Sequence, residues 1–460
     1  MNKLLHILTN EIVFWTAWIL IPLLLEIIPA VFGFLVLILK RFRYRKDQPL
    51  TYFPEITVII PVYNSAKTLE MCINSIVESS YPYEKMEILL VNNGSKDQSF
   101  EIFTKYQETH EGVKLKWMNS QQGKSKALNL ALFHSEGKYI IHLDSDGVVH
   151  KDALLHLVTR FESHDNIHCM TGSILTNPEL IMKEKSGFMR FVQKVEFFEY
   201  AQAFLAGRNF AAELNSIFTM SGAFSSFRKS TILKTQLYNT ETVCEDTHVT
   251  FQVRKILKKK IDICEKAIFY VDPIESLDTL YVQRQRWQRG ELEVAHMFPS
   301  KVGVIKGFFT DFMTRIIMFD HTFAFPRMIW YFALICLTFI NYPFNFIIQS
   351  VMITYALYTF STLLYYFNVC SYLRWDAKLK KFYAKKILLV IFLPIFNFIV
   401  YWFRMAGIIN SIKGTSTWRT KRMKEEVEEC KSIISNDFKV IRKGLNHMKR
   451  FLIKDEHNND

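Results

Sequence analysis

The stretch Lys138-Tyr139-Ile140-Ile141-His142-Leu143-Asp144-Ser145-Asp146 decides the reading of this chain: a short apolar run stops abruptly at two carboxylates. Its β-branched and aromatic residues predict a strand. His142 alternates with the apolar residues and reads as a packed strand histidine rather than a ligand. Three similar runs precede it, Ile56 to Pro61, Glu87 to Val91 and Val113 to Trp117, with helical stretches between them around 66–79, 98–110 and 124–134. Such alternation means a doubly wound, largely parallel α/β sheet. Ligands bind these sheets at the carboxyl ends of the strands. Tyr63-Asn64, Asn92-Asn93-Gly94 and Asp144-Ser145-Asp146 all fall there.

The sheet region is flanked by apolar sequence. From Ile12 to Leu39 a run is broken only by Glu26 and two prolines, and further runs lie between Phe323 and Asn410. A bilayer core takes about 20 apolar residues per helix, so one amino-terminal span and about three carboxy-terminal spans are expected. The first run is too long for a cleaved signal and is read as an anchor. Lys40, Arg41, Arg43, Arg45 and Lys46 follow it while only Lys3 precedes it, which puts residue 46 onward in the cytoplasm of a multi-pass plasma-membrane protein. The expected organisation is an anchor at 1–46, a cytosolic domain at 47–297, an interfacial amphipathic segment at 298–322, a membrane region at 323–411 and a basic amphipathic tail at 412–460. In that tail Met423, Val427, Cys430, Ile434, Ile441, Leu445, Met448 and Leu452 recur at helical spacing. One conflict stays open: a last span at 387–410 puts the basic tail outside, so either Pro394 marks a re-entrant segment or an earlier run does not cross.

The net charge of +13 sits largely beside the apolar runs and in the tail, which points to anionic lipid head groups and not to nucleic acid. The seven cysteines form no Cys-x-x-Cys pair and have no histidines at zinc-ligand spacing, in keeping with a reduced compartment.

Four clusters carry chemistry. Asp144 and Asp146 at a strand end suit a hard divalent cation, Mg2+ or Mn2+, whose remaining ligands a diphosphate supplies. Gly123-Lys124-Ser125-Lys126 opens a helix, where free N–H groups and the two lysines can face a diphosphate. Glu245-Asp246 offers a carboxylate that can take the proton of an attacking hydroxyl. Gln283, Arg286 and Trp287 share one helical face and present an amide, a guanidinium and an indole, the last able to stack on a sugar ring. Snorkelling at a membrane surface is the competing account of the arginines, Arg284 and Arg289 among them.

In order, Ile60-Pro61-Val62-Tyr63-Asn64, Val91-Asn92-Asn93-Gly94-Ser95, Gly123-Lys124, Asp144-x-Asp146, Ser221-Gly222-Ala223-Phe224, Glu245-Asp246 and Gln283-x-x-Arg286-Trp287 resemble the family 2 inverting glycosyltransferases of GT-A fold. The set looks most like the bacterial processive synthases of cellulose, hyaluronan and poly-N-acetylglucosamine, and nearest to the last of these. It is also similar to a branch of glycosyltransferases linked to exosortase systems in Gram-positive bacteria. The resemblance implies a UDP-sugar donor held by Pro61, Tyr63, Asn64, Asn93, Gly94, Lys124 and Asp144. It implies a metal on Asp144 and Asp146, Asp246 as general base beside Glu245, and Gln283, Arg286 and Trp287 at the acceptor and diphosphate. The product would be a β-linked polysaccharide. Transfer of one sugar to a lipid, giving a glycolipid, is the alternative, and an inactive membrane scaffold a third reading. Four spans are few for a wide pore, so a second copy or an accessory export subunit would complete a channel. Asn93 stands where the family usually has an aspartate that contacts the uracil, which puts the donor nucleotide in doubt. Cys244 replaces a common threonine, a milder departure.

Overall fold

The computed structural model describes residues 15–16, 19–20, 23–43, 47–298, 334, 336–340, 343–413 and 422–428. Most of the first apolar run before residue 23, the interfacial segment beyond Phe298, most of the 323–343 run and the tail beyond residue 428 lie outside the described residues.

A helix at Ile28–Arg43 (α1) ends in Lys40, Arg41 and Arg43 and leads into alternating strands and helices. These are β1 (Ile56–Val62), α2 (Leu69–Val77), β2 (Met86–Asn92), α3 (Ser99–Thr109), β3 (Lys114–Asn119), α4 (Lys124–His134), β4 (Tyr139–Leu143), β5 (Gly147–Val149) and α5 (Ala153–Ser163). β1 is buried at every residue, which is why it reads as a continuous apolar run rather than an alternating one: a parallel central strand is covered on both faces. The period of two still sorts its side chains. Val58, Ile60 and Val62 pack with Leu69, Ile73 and Ile76 of α2 on one side of the sheet. Ile59 packs with Ala127, Leu128 and Ala131 of α4 on the other.

The second half adds β6 (Cys169–Thr176), α6 (Pro178–Lys183), α7 (Gly187–Tyr200), α8 (Arg208–Glu213), β7 (Phe224–Arg228), α9 (Lys229–Ile232), α10 (Glu245–Phe251), β8 (Ile261–Val271) and α11 (Leu277–Met297). The sheet has eight strands in the order β3-β2-β1-β4-β7-β6-β8-β5. β1 to β4 pair in parallel. β7 runs antiparallel to both β4 and β6, and β5 antiparallel to β8. The expected doubly wound sheet is therefore present as a mixed one, parallel in its first half.

Two further helices, α12 (Phe344–Tyr372) and α14 (Leu389–Lys413), flank the short α13 (Ala377–Ala384). Both long helices are apolar enough to cross a membrane. Pro394 lies inside α14 without interrupting it, so no chain reversal occurs there. These helices do not stand apart from the sheet. Tyr383 stacks on Phe198 of α7 at 4.2 Å between centroids, and Tyr366, Val369, Leu393 and Phe396 belong to the same core as β1 and β2.

Candidate active site

The crevice at the carboxyl end of β4 begins with Asp144, whose carboxylate meets the Lys124 ammonium at 2.7 Å. Lys124 is the first residue of α4, and its Nζ also lies 3.2 Å from Glu245 Oε1 at the start of α10. One lysine thus ties a strand end to a helix start. Burial opposes its charge, but Asp144, Glu245 and Asp246 together hold the ammonium above the usual lysine range. Burial pushes the Glu245 carboxyl up, with Asp246 and Asp144 adding to the rise. Glu245 is turned inward and nearly inaccessible. Lys126, the other lysine of that helix start, points away and bonds to Gln121 Oε1 at 3.0 Å.

Asp246 faces the crevice. Its Oδ2 accepts the Gly222 N–H at 2.9 Å and its Oδ1 the Thr247 N–H at 2.6 Å. Two backbone donors therefore fix the orientation of the carboxylate. Asp146 stands exposed within the crevice, yet the surrounding walls and the neighbouring Asp144 charge lift its carboxyl to about 6. Two carboxylates this close together are a donor pair a hard divalent cation would neutralise. Among the described residues no three His, Cys, Asp or Glu side chains are grouped as a metal site, so the crevice offers a cation this pair and leaves other ligands to a bound anion. Ser145 between them is pinned by Ser65 Oγ at 2.6 Å and by the Thr68 hydroxyl on its carbonyl at 2.8 Å.

The other strand ends converge as expected. Pro61 lies in β1 opposite Val91, and Tyr63 is exposed beyond it. Asn64 has a positive φ of 51° and accepts the Lys96 N–H on its Oδ1 at 2.9 Å. Asn93 accepts the Gly123 N–H on its Oδ1, linking the end of β2 to the start of α4. Gly94, at φ 83°, lies against Gln122. His142 is buried, with Nδ1 2.6 Å from the Tyr238 hydroxyl, as a strand packing residue.

Gly290 brings α11 to the acids. A Cβ on it would lie 1.9 Å from Cys244 Sγ, and Cys244 immediately precedes Glu245. At 100° per residue, Gln283, Arg286, Trp287 and Gly290 share this face of α11. Arg286 is exposed and Trp287 half-buried. Gln283 Oε1 is buried without a partner, near Tyr200. Arg284 does not snorkel: it is 3% exposed, pairs with Glu199 of α7 and lies 4.4 Å over the Trp287 ring.

Sequence reasoning missed the groups that fix these side chains. The Gly222 N–H holds Asp246, and no residue type announces a backbone donor. It also missed a cavity of about 380 Å3 behind α11, lined by Glu199, Gln202, Gln288, Asn397, Tyr401 and Arg404 among others. With Tyr365 of α12 they come from four separate segments, which no local pattern joins.

Comparison with known proteins bears on the family and the fold. Residues 57–233 match the family model described as Glycosyl transferase family 2. A poly-beta-1,6-N-acetyl-D-glucosamine synthase of Staphylococcus epidermidis is 25% identical over 312 residues, 66% of this chain and 69% of that one. The enzyme of the same name from Staphylococcus aureus strain COL is 26% identical over 270 residues, 58% of this chain and 60% of that one. Among solved structures, the mannosyltransferase of Pyrobaculum calidifontis, in complex with GDP-Man and Mn2+, is similar in fold with a TM-score of 0.55. It has 17% identity and covers 82% of this chain and 97% of that one.

Proposed function

Because the chain is a glycosyltransferase with a family 2 domain at residues 57–233, we propose that it transfers a sugar from a nucleotide-sugar to a growing polysaccharide at a membrane, with inversion to a β-linkage. The observation that supports this reading is the close approach of Gly290 to Cys244, the residue before Glu245-Asp246, on the α11 face that also carries Gln283, Arg286 and Trp287, while Lys124 ties Glu245 to Asp144. This arrangement supports a base, a pair of cation-binding carboxylates and leaving-group cations acting at one crevice.

Asp144 and Asp146 would hold a divalent cation, which when bound neutralises charge on the diphosphate and eases its departure. Asn93, Gly94 and Tyr63 at the neighbouring strand ends take the nucleoside. Asp246, held by its two backbone donors, accepts the proton of the acceptor hydroxyl as that oxygen attacks the anomeric carbon. The bond from that carbon to the diphosphate breaks on the opposite side, and Lys124 and Arg286 meet the departing charge. Trp287 and the unpartnered Gln283 Oε1 suit a polar ring on the acceptor side.

The names of the staphylococcal relatives support poly-N-acetylglucosamine as the product and UDP-N-acetylglucosamine as the donor. The cavity behind α11, which reaches between α12 and α14 and mixes polar with apolar side chains, supports an acceptor longer than one sugar. The two apolar helices and the basic end of α1 support a membrane setting with the sheet on the cytoplasmic side.

The test is nucleotide release by the purified protein in lipid, with Mg2+ or Mn2+, across UDP-sugars and a GDP-sugar, with product length analysed. Turnover of one donor into long products is expected, and Asp246→Asn should lower it by about a hundredfold or more without loss of folding. Single-sugar lipid products would replace the polymer reading. Full activity of Asp246→Asn would remove the base assignment.

A further inference from the structure

The working face of α11 has a back. Tyr281 and Gln285, one turn apart, are buried on the opposite side of the helix from Gln283, Arg286 and Trp287. Both bond to a single carboxylate, Glu426, which lies in a short helical turn at 423–428. The Tyr281 hydroxyl donates to Glu426 Oε2, and Gln285 Nε2 donates to Oε1 at 3.1 Å. Asn410 of α14 donates to the same Oε1 at 2.7 Å. Gln285 also bonds the Tyr281 hydroxyl at 3.1 Å.

This is a tight junction. Gly407 of α14 sits where a Cβ would come within 2.9 Å of the Gln285 carbonyl oxygen, so the two helices touch backbone to backbone. Tyr281 lies edge-on to Phe403 at 5.1 Å, and Gln288 accepts from Arg404 at 2.6 Å. Three neutral donors converging on one ionised acceptor make charge-assisted bonds, stronger than neutral ones. The donors come from α11 and α14, and the acceptor from the segment after the last apolar helix.

We infer that Glu426 is a positioning residue: by clamping the back of α11 to α14 it sets where Gln283, Arg286 and Trp287 stand relative to Asp246. It touches no reacting atom. The inference rests on the reading of α11 as the acceptor and leaving-group helix, and it gives the carboxy-terminal segment a part in transfer beyond its basic charge.

Glu426→Ala removes the shared acceptor, and Glu426→Asp keeps it on a shorter stem. Two measurements on the full-length protein in lipid test the clamp. The first is hydrogen exchange along 277–297 compared with 124–134. Glu426→Ala should speed exchange in α11 and leave α4 unchanged, with Glu426→Asp in between. Unchanged exchange in α11 overturns the inference. The second is steady-state kinetics with UDP-N-acetylglucosamine and a β-1,6-linked N-acetylglucosamine oligosaccharide, with UDP affinity measured separately. Misplacing α11 should lower transfer per acceptor by between about tenfold and about a hundredfold while UDP affinity holds. Equal losses in UDP affinity and transfer would mean general damage and overturn the inference. Arg286→Ala separates the two levels: if it leaves transfer intact the role given to α11 falls, whereas a defect there with normal Glu426→Ala kinetics removes the clamp alone.

Discussion

Gly290→Ala is the sharpest test of how α11 meets the acidic pair. The added methyl would lie 1.9 Å from Cys244 Sγ and 2.8 Å from Cys244 Cβ. Ordinary contact begins at about 3.4 Å, so the helices must separate by about 1.5 Å at this point. Neither side yields cheaply. Cys244 is held at the start of α10, with its N–H on the Thr242 hydroxyl at 3.2 Å, and Gly290 is in mid-helix. Overpacking of this size costs about 1–3 kcal/mol, and a shift of that order between reacting groups costs up to about a hundredfold in rate. The assay is a double-mutant cycle on thermal unfolding and on transfer. Gly290→Ala alone should lower both. Cys244→Ala alone should be mild, because it removes one sulfur from a small cluster with Phe251 and Val294. The pair should recover part of the loss, since deleting Sγ removes the worst clash and leaves the 2.8 Å contact, with a coupling of about 1 kcal/mol or more. If Gly290→Ala transfers at the normal rate, or if the two changes simply add, the contact does not position α11 and the argument from it fails.

Lys124→Met should lower both nucleotide affinity and stability, the latter by about 1–3 kcal/mol, because Glu245 is left buried without its cation. Adding Glu245→Gln should restore stability but not affinity; recovery of both would mean that Lys124 serves only the fold. Burial alone would raise the Glu265 carboxyl, but Arg160, bonded to both its oxygens at 2.5 and 3.0 Å, holds it at about 2. A depressed carboxylate stabilises above its unfolded value, so that stability should be lost as pH falls from about 4.3 toward about 2. Glu265→Gln should flatten the pH dependence of the urea midpoint over that window, and an unchanged slope would show that the pair is not responsible. Asn93→Asp keeps the acceptor for the Gly123 N–H and removes the two amide donors. The ratio of kcat/KM for UDP-sugars over GDP-sugars should rise by about tenfold, and an unchanged ratio would mean that Asn93 does not read the base.

The first half of the fold was legible because its strands are buried on both faces. Ile56–Val62 and Met86–Asn92 are apolar almost throughout and are cut off by Asn, Gly and Ser, so their ends and the crevice beyond them can be located from composition alone. The second half was less legible. β6 and β8 slip register between Gly172 and Ser173, and β7 is the polar sequence Phe-Ser-Ser-Phe-Arg wedged antiparallel between two strands. Such a strand is fixed by its neighbours more than by its own residues. The face of α11 follows from helical period, but its partner does not. Cys244 and Gly290 meet only because the chain returns across the sheet through β8. Arg284 shows the limit most clearly: an arginine beside an apolar segment fits a membrane surface, and only Glu199 on α7 shows that it is paired inside.

The two sides of α11 explain why this transferase carries its apolar helices against the sheet and not on a flexible tether. One side meets Cys244 and the acids, through contacts internal to the sheet domain. The other is held by Gly407, Arg404 and Asn410 of α14 and by Glu426. Between them, Arg284 joins α11 to α7, and α7 is fixed in turn by the stack of Phe198 on Tyr383. Rotation of α11 by one residue, 100°, would break every one of these contacts at once, so the helix has a single seat. In the proposed reaction α11 needs such a seat, because an error on either side would separate the base from the hydroxyl it serves.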